Sequence, residues 1–146
     1  WLNRQIEKLD IADCVHWLGA ISADEIVSEL HDSAAMLLSS YIEGYSLALA
    51  EGMLLGVPAV NSFVGGMPSL ARDEDSALFF PAGDAEMCAY QLERLLTDRA
   101  LAERIGRRAR EIALERNAPE RIVRNQIEIY RQVLANTRSD NQDREQ

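Results

Sequence analysis

The stretch EGYSLALAEGMLLGVP, residues 43–58, decides how this chain is read. It opens on a glutamate and a glycine, then runs almost wholly apolar, with a second glutamate, Glu51, in its middle. Leu47, Leu49, Ala50, Met53 and Leu54 leave little polar face, so the pattern predicts a helix over 44–55. Gly56 stops that helix and Pro58 keeps it from restarting. Burying an unpaired carboxylate is costly. Glu51 therefore sits either on a solvated stripe or against a ligand, and the apolar neighbours favour the ligand.

Working outward, short apolar runs alternate with helical segments. CVHWLG (14–19), AAMLLSS (34–40), VPAVNS (57–62) and ALFFP (77–81) read as buried strands. Ser22 and Glu25 form a capping box that starts a helix whose apolar stripe is Ile26, Val27 and Leu30. From Asp84 onward the pattern is wholly helical. DAEMCAYQLERLLTD should turn Met87, Tyr90, Leu92 and Leu95 or Leu96 inward, and a last helix from Pro119 to about 135 should pack Ile122, Ile127, Ile129 and Val133. Residues 1–135 then form one domain, and the polar stretch 136–146 is expected to be a disordered tail. Short strands separated by helices mean βαβ units: an α/β fold with a Rossmann-like parallel sheet flanked by helices, and a helical C-terminus.

Composition narrows the function. The chain has 146 residues, 47% of them hydrophobic and 27% charged, enough for one packed domain. Its net charge is −9, and no lysine or arginine falls between Leu9 and Ala71. Without a basic face there is no nucleic-acid site. No apolar run approaches the roughly 20 residues of a membrane span. The chain begins at Trp1 with no initiator methionine, which suggests a piece of a longer protein. Cys14 and Cys88 lack metal-ligand spacing and are expected to pack as reduced thiols, in keeping with a cytoplasmic location. There is no Asp-x-Asp and no His/Cys cluster, so no metal is expected. His16 and Trp17 read as packed strand residues, and His31 as a cation suited to a helix C-terminus.

Ligands of such sheets bind beyond the strand carboxyl ends, which places the loops 19–22, 39–45 and 61–68 at the site. Gly44, Tyr45 and Ser46 would form a first helical turn, whose free amides and dipole suit a phosphate. Glu51 lies eight residues beyond Glu43, about 12 Å if helical throughout, so the two carboxylates would bracket a diphosphate and hold hydroxyls on either side. Glu43 alone reads equally well as an acid favoured at a helix N-terminus. Gly65 and Gly66 let a substituent approach the backbone closely.

These residues resemble the signature of the family-4 retaining glycosyltransferases: a glutamate, seven residues, a second glutamate, then a Gly-Val-Pro strand entry. VHWLGAISADEIVSELHDSAAMLLSS before it and NSFVGGMPSLARDEDSALFFPAGDAEMCAYQLERLLTD after it match that family in order and spacing, over roughly residues 10–135. The resemblance implies the GT-B architecture, with this chain as the distal part of the C-terminal, donor-binding domain. It implies a retaining transfer of a sugar from a UDP-, GDP- or ADP-sugar to a glycan, lipid or other acceptor, with no cofactor. Glu43 would be the catalytic-site carboxylate that contacts the donor sugar's hydroxyls, and Glu51 would hold the ribose. Gly44, Tyr45, Ser46 and Leu47 would approach the diphosphate or sugar. Gly19 would border the base, and Gly65 and Gly66 the sugar.

The family's first two strands, its phosphate-neutralising cations and its N-terminal acceptor domain would precede Trp1, leaving half a donor site that is inactive alone. Peripheral association of the parent enzyme with the inner face of the membrane is a further expectation. A non-catalytic nucleotide-sugar-binding domain and a GT-B sugar-nucleotide epimerase are the alternatives. The chain departs from the family at Ser69, where a glutamate is common, at Ala77 and at Gly52.

Overall fold

Three short strands, β1 (Met36–Leu38), β2 (Ala59–Ser62) and β3 (Leu78–Phe80), pair in parallel in that spatial order. The computed structural model describes residues 1–144, with side chains through Ala135. Met36 pairs with Ala59 and Leu38 with Asn61, while Val60 pairs with Leu78 and Ser62 with Phe80. β2 is buried along its whole length, as a central strand covered on both faces must be.

Strand alternation then builds two cores. Ala59 and Phe79 face Leu49, Met53, Met67, Leu70 and Ala109, contributed by α3 (Leu47–Leu55), α4 (Met67–Leu70) and α6 (Arg99–Arg116). Val60, Leu78 and Phe80 face Leu95 of α5 (Ala85–Thr97) and Leu101 and Ile105 of α6. α3 is therefore clamped between the sheet and α6. Its Leu49 and Met53 are wholly inaccessible to solvent.

The α/β class and parallel sheet match the sequence reading, and three of the four expected strands form. The run 14–19 does not. A 3-10 turn covers Ala12–Cys14, and Val15 is extended, but nothing pairs with it, because β1 is the outer member of the sheet among the described residues. A strand needs a neighbour for its backbone groups. Trp17 is accordingly 64% exposed instead of lying in the core, and His16 and Cys14 are exposed instead of packed. No residue from 1 to 45 is fully buried, although α1 (Leu2–Lys8), absent from the sequence reading, and α2 (Ala23–His31) both form. Ser22 and Glu25 complete the expected capping box of α2, and His31 lies in its last turn beside Asp32.

Two helical faces also differ from expectation. α5 turns Gln91 and Leu95 inward, with Cys88 and Leu92 beside them, while Met87, Tyr90 and Leu96 are exposed. The polar Gln91 belongs inside because its amide donates to the carbonyl of Phe79 at 3.0 Å, which fixes the phase of the helix. Burial pushes the pKa of the Cys88 thiol up. α7 (Pro119–Arg144) leaves Ile122, Ile127, Ile129 and Val133 exposed, because α6 touches only its start. The helix continues past 135 through most of the stretch expected to be a tail. Residues 145–146 and the side chains beyond 135 lie outside the described residues.

Candidate functional site

Because the sheet is parallel, Leu38, Ser62 and Phe80 end on one side and their loops meet there. Backbone-directed bonds stitch these loops together. The Ser62 hydroxyl donates to the Ser40 carbonyl at 2.6 Å, and the Phe63 amide donates to the Phe80 carbonyl at 2.8 Å. The Gly66 amide donates to the Gly44 carbonyl at 3.0 Å. A Cβ built on Gly65 would lie 1.6 Å from the Glu43 carbonyl oxygen, and one on Gly66 2.2 Å from that of Gly44. The paired glycines therefore let the second loop lie directly on the first. Ser69 adds a bond from its hydroxyl to the Gly66 carbonyl at 2.6 Å, which is what holds this loop where the family commonly has a glutamate.

The site helix begins later than expected. Gly44, Tyr45 and Ser46 are not its first turn; α3 starts at Leu47, with Ser46 in extended conformation as its N-cap. The Ser46 side chain, 2% exposed, accepts from the Leu49 amide at 3.3 Å. Serine competes for backbone donors in this way, so it ends up at caps and not inside first turns. The amides of Leu47 and Ala48 have no partner among the described residues, and they form the positive end of the helix. Replacing Ser46 with alanine should lower stability by about 1 kcal/mol, read in urea denaturation.

The two carboxylates are also placed differently from a continuous-helix estimate. Glu43, half-buried, is on the loop beneath Gly65, so only the four residues from Leu47 to Glu51 follow helical rise, about 6 Å. Glu51 shares an exposed stripe of α3 with Leu47 and Ala48. Its carboxylate stands at the rim of a cleft of about 190 Å³ between α2 and α3, walled by Ile26, Val27, Leu30 and Leu54. Neither glutamate's side chain takes part in any hydrogen bond or ion pair among the described residues. The stripe answers the burial problem: a carboxylate is tolerated at Glu51 because its side of an otherwise apolar helix is open to solvent.

Glu43, Gly44, Gly65 and Gly66 are thus brought together by direct backbone contact, with Ser46 and Leu47 following on. Tyr45 is half-exposed beside them. Gly19 takes a left-handed φ of +67° ahead of α2 and has open space around it. The free amide of Ala48 and the Ser62–Ser40 link were missed in the sequence. Only the exact helix start reveals the first, and only the pairing register reveals the second.

A parallel sheet whose carboxyl edge carries a helix N-terminus and a glycine-rich second loop is a Rossmann-like arrangement. Comparison with known proteins agrees. The family model described as Glycosyl transferases group 1 matches residues 1–112. The chain is 36% identical over 129 residues to the N-acetyl-alpha-D-glucosaminyl L-malate synthase of Bacillus anthracis, covering 88% of this chain and 33% of that one. Among solved structures, sucrose-phosphate synthase from Thermosynechococcus elongatus superposes with a TM-score of 0.81 at 27% identity, over 92% of this chain and 34% of that one. HepE from Anabaena, solved in complex with UDP-glucose, superposes with a TM-score of 0.75 at 23% identity, over 79% and 31% of the two chains. The chain belongs to the group 1 glycosyltransferases. It spans about a third of the length of these relatives. None of the described helices is long and apolar enough to cross a membrane.

Proposed function

We propose that this chain supplies part of the donor site of a retaining glycosyltransferase that uses a nucleoside-diphosphate sugar. The observation that carries the proposal is the pair of unpartnered amides at Leu47 and Ala48, flanked by two partnerless carboxylates, Glu43 and Glu51. Amides at a helix N-terminus stabilise a diphosphate. They do so most strongly when it departs with its full charge, which is the electrostatic contribution that speeds such reactions. In the transfer, the bond from the anomeric carbon to the diphosphate oxygen breaks, a bond to an acceptor hydroxyl oxygen forms on the same face, and the hydroxyl's proton passes to the departing diphosphate. Glu43 holds the sugar's hydroxyls in the orientation for that exchange, and Glu51 holds the ribose above the cleft formed with α2.

No lysine or arginine falls between Leu9 and Ala71, the stretch that supplies these amides and carboxylates. In this reading the phosphate-binding cations come from another part of the same donor domain, and the acceptor site from the N-terminal acceptor domain. Transfer occurs in the cytoplasm, and the parent enzyme associates peripherally with the membrane.

Titration with UDP, GDP and ADP and their hexose forms, followed by backbone NMR, tests this. Saturable shifts at residues 44–48 are expected, with Kd about 1 mM and a free energy near −4 kcal/mol. Glu51→Ala should weaken binding about tenfold, the loss of about 1.4 kcal/mol. Shifts that scatter over the surface, or an unchanged Kd in the variant, would remove Glu51 from the site.

A further inference from the structure

We infer that the chain carries a second site, for a small phosphomonoester, in the notch where the end of α4, the end of α6 and the start of α7 meet. A cavity of about 420 Å³ opens there, within the range of small-molecule sites. Four arginines line it, Arg72, Arg108, Arg116 and Arg121, against one carboxylate, Glu115. That concentration of cations stands out in a chain whose net charge is −9.

The four do not contribute equally. Arg108 bonds Glu111 at 3.1 Å and lies 3.5 Å from Asp75, and Arg121 bonds Glu115. Those charges are already balanced. Arg72 is exposed, and its guanidinium makes no bond among the described residues. Arg116 is the telling residue. One of its Nη atoms donates to the Leu70 carbonyl at 3.1 Å, while its Nε and its other Nη are buried and have no partner. A guanidinium keeps its charge at any accessible pH, so it cannot escape an unmatched environment by losing a proton.

Buried donors are normally satisfied, and an arginine's Nε and Nη lie side by side in a planar fork. That fork matches two oxygens of one phosphoryl group. Arg116 holds its free edge covered in the unliganded fold and would turn it toward the notch to grip one side of the phosphoryl group, while exposed Arg72 closes over another, so that two positive charges unmatched among the described residues meet a dianion. The remaining volume takes the body that carries the phosphate.

The donor-side loops meet α4 at its Gly66 end, whereas the arginines of the notch gather at its Leu70 end; Ser69, which lines the notch and bonds the Gly66 carbonyl, is the residue the two share.

The test is titration of the 146-residue chain with sodium phosphate, and separately with glucose 6-phosphate, at constant ionic strength. Arginine Nε–Hε and backbone signals are followed by NMR. Saturable shifts at the Arg116 Nε–H and at Leu70, Ala71 and Arg72, with residues 44–48 unmoved, are expected from either ligand. Tighter binding of the sugar phosphate identifies a phosphorylated metabolite as the occupant; tighter binding of the inorganic ion identifies free phosphate. Arg72→Gln, which removes no contact within the fold, should weaken binding about tenfold, and Arg131→Gln, outside the notch, should change nothing. Absence of saturation by about 20 mM, equal shifts from chloride, or an unchanged Kd in Arg72→Gln would overturn the proposal.

Discussion

Gly65→Ala is expected to disable nucleotide binding in a protein that still folds. Gly65 sits at φ +52°, a conformation that costs an alanine about 1–2 kcal/mol. The larger effect is steric, since the new Cβ would lie 1.6 Å from the Glu43 carbonyl oxygen. Backbone atoms are in the way, so the loop must lift, and overpacking of this kind costs about 1–3 kcal/mol more. A domain with a typical stability of about 5–15 kcal/mol survives the combined loss. The lift also strains the Gly66–Gly44 bond and releases Glu43 from its place beneath the loop. Urea denaturation should therefore show a stability lower by about 2–5 kcal/mol, and titration with UDP should give no saturable shifts at 44–48. Wild-type binding in this variant would mean that the loop pairing does not position the site.

How much of this was legible in the sequence depends on how local each cause is. The helix stop at Gly56 and the Ser22–Glu25 capping box are local, and both form as read. β2 and β3 were legible because a run such as AVNS or LFF, bounded by Pro58 or Ser76, has no helical length available. CVHWLG had the same apolar signature and failed, because strand formation depends on a neighbour and not on composition. The phase of α5 was misread for a related reason. Periodicity alone favours Met87 and Tyr90 as inward residues, but the unpaired Phe79 carbonyl at the sheet selects Gln91.

The candidate site shows the same division. The glutamates, Gly44 and the glycine pair could be picked out from their spacing, because a carboxylate in an otherwise apolar helix is unusual. What Gly65 and Gly66 touch could not be read, since it depends on two loops 20 residues apart lying in contact. Ser46 was placed one step too far into the helix, because the helix was started at Gly44 although a serine ahead of an apolar run suits the cap. The arginine notch was invisible as well, since Arg72, Arg108, Arg116 and Arg121 come together only once α4, α6 and α7 fold against one another.

Gly106→Ala should act on the site from the far end of α3. Gly106 lies in α6 where that helix crosses the end of α3, and a Cβ there would stand 2.2 Å from the Gly56 carbonyl oxygen and 3.5 Å from Pro58 Cδ. Gly56 closes α3 in the left-handed conformation, and Pro58 leads directly into β2, so neither can step aside alone. The two helices must separate, loosening Met53 and Ala109 across the seam, for a cost of about 1–3 kcal/mol. α3 is packed as a rigid rod, so a displacement at its C-terminus is passed to its N-terminus, about 13 Å away. The Leu47 and Ala48 amides then no longer stand opposite the loop that Gly65 seats. A lower denaturation midpoint accompanied by a several-fold weaker UDP titration is the expected result. A destabilised protein with full UDP affinity would show instead that the amides are positioned by the Ser46 cap and the loops alone, and that the α3–α6 crossing serves stability only.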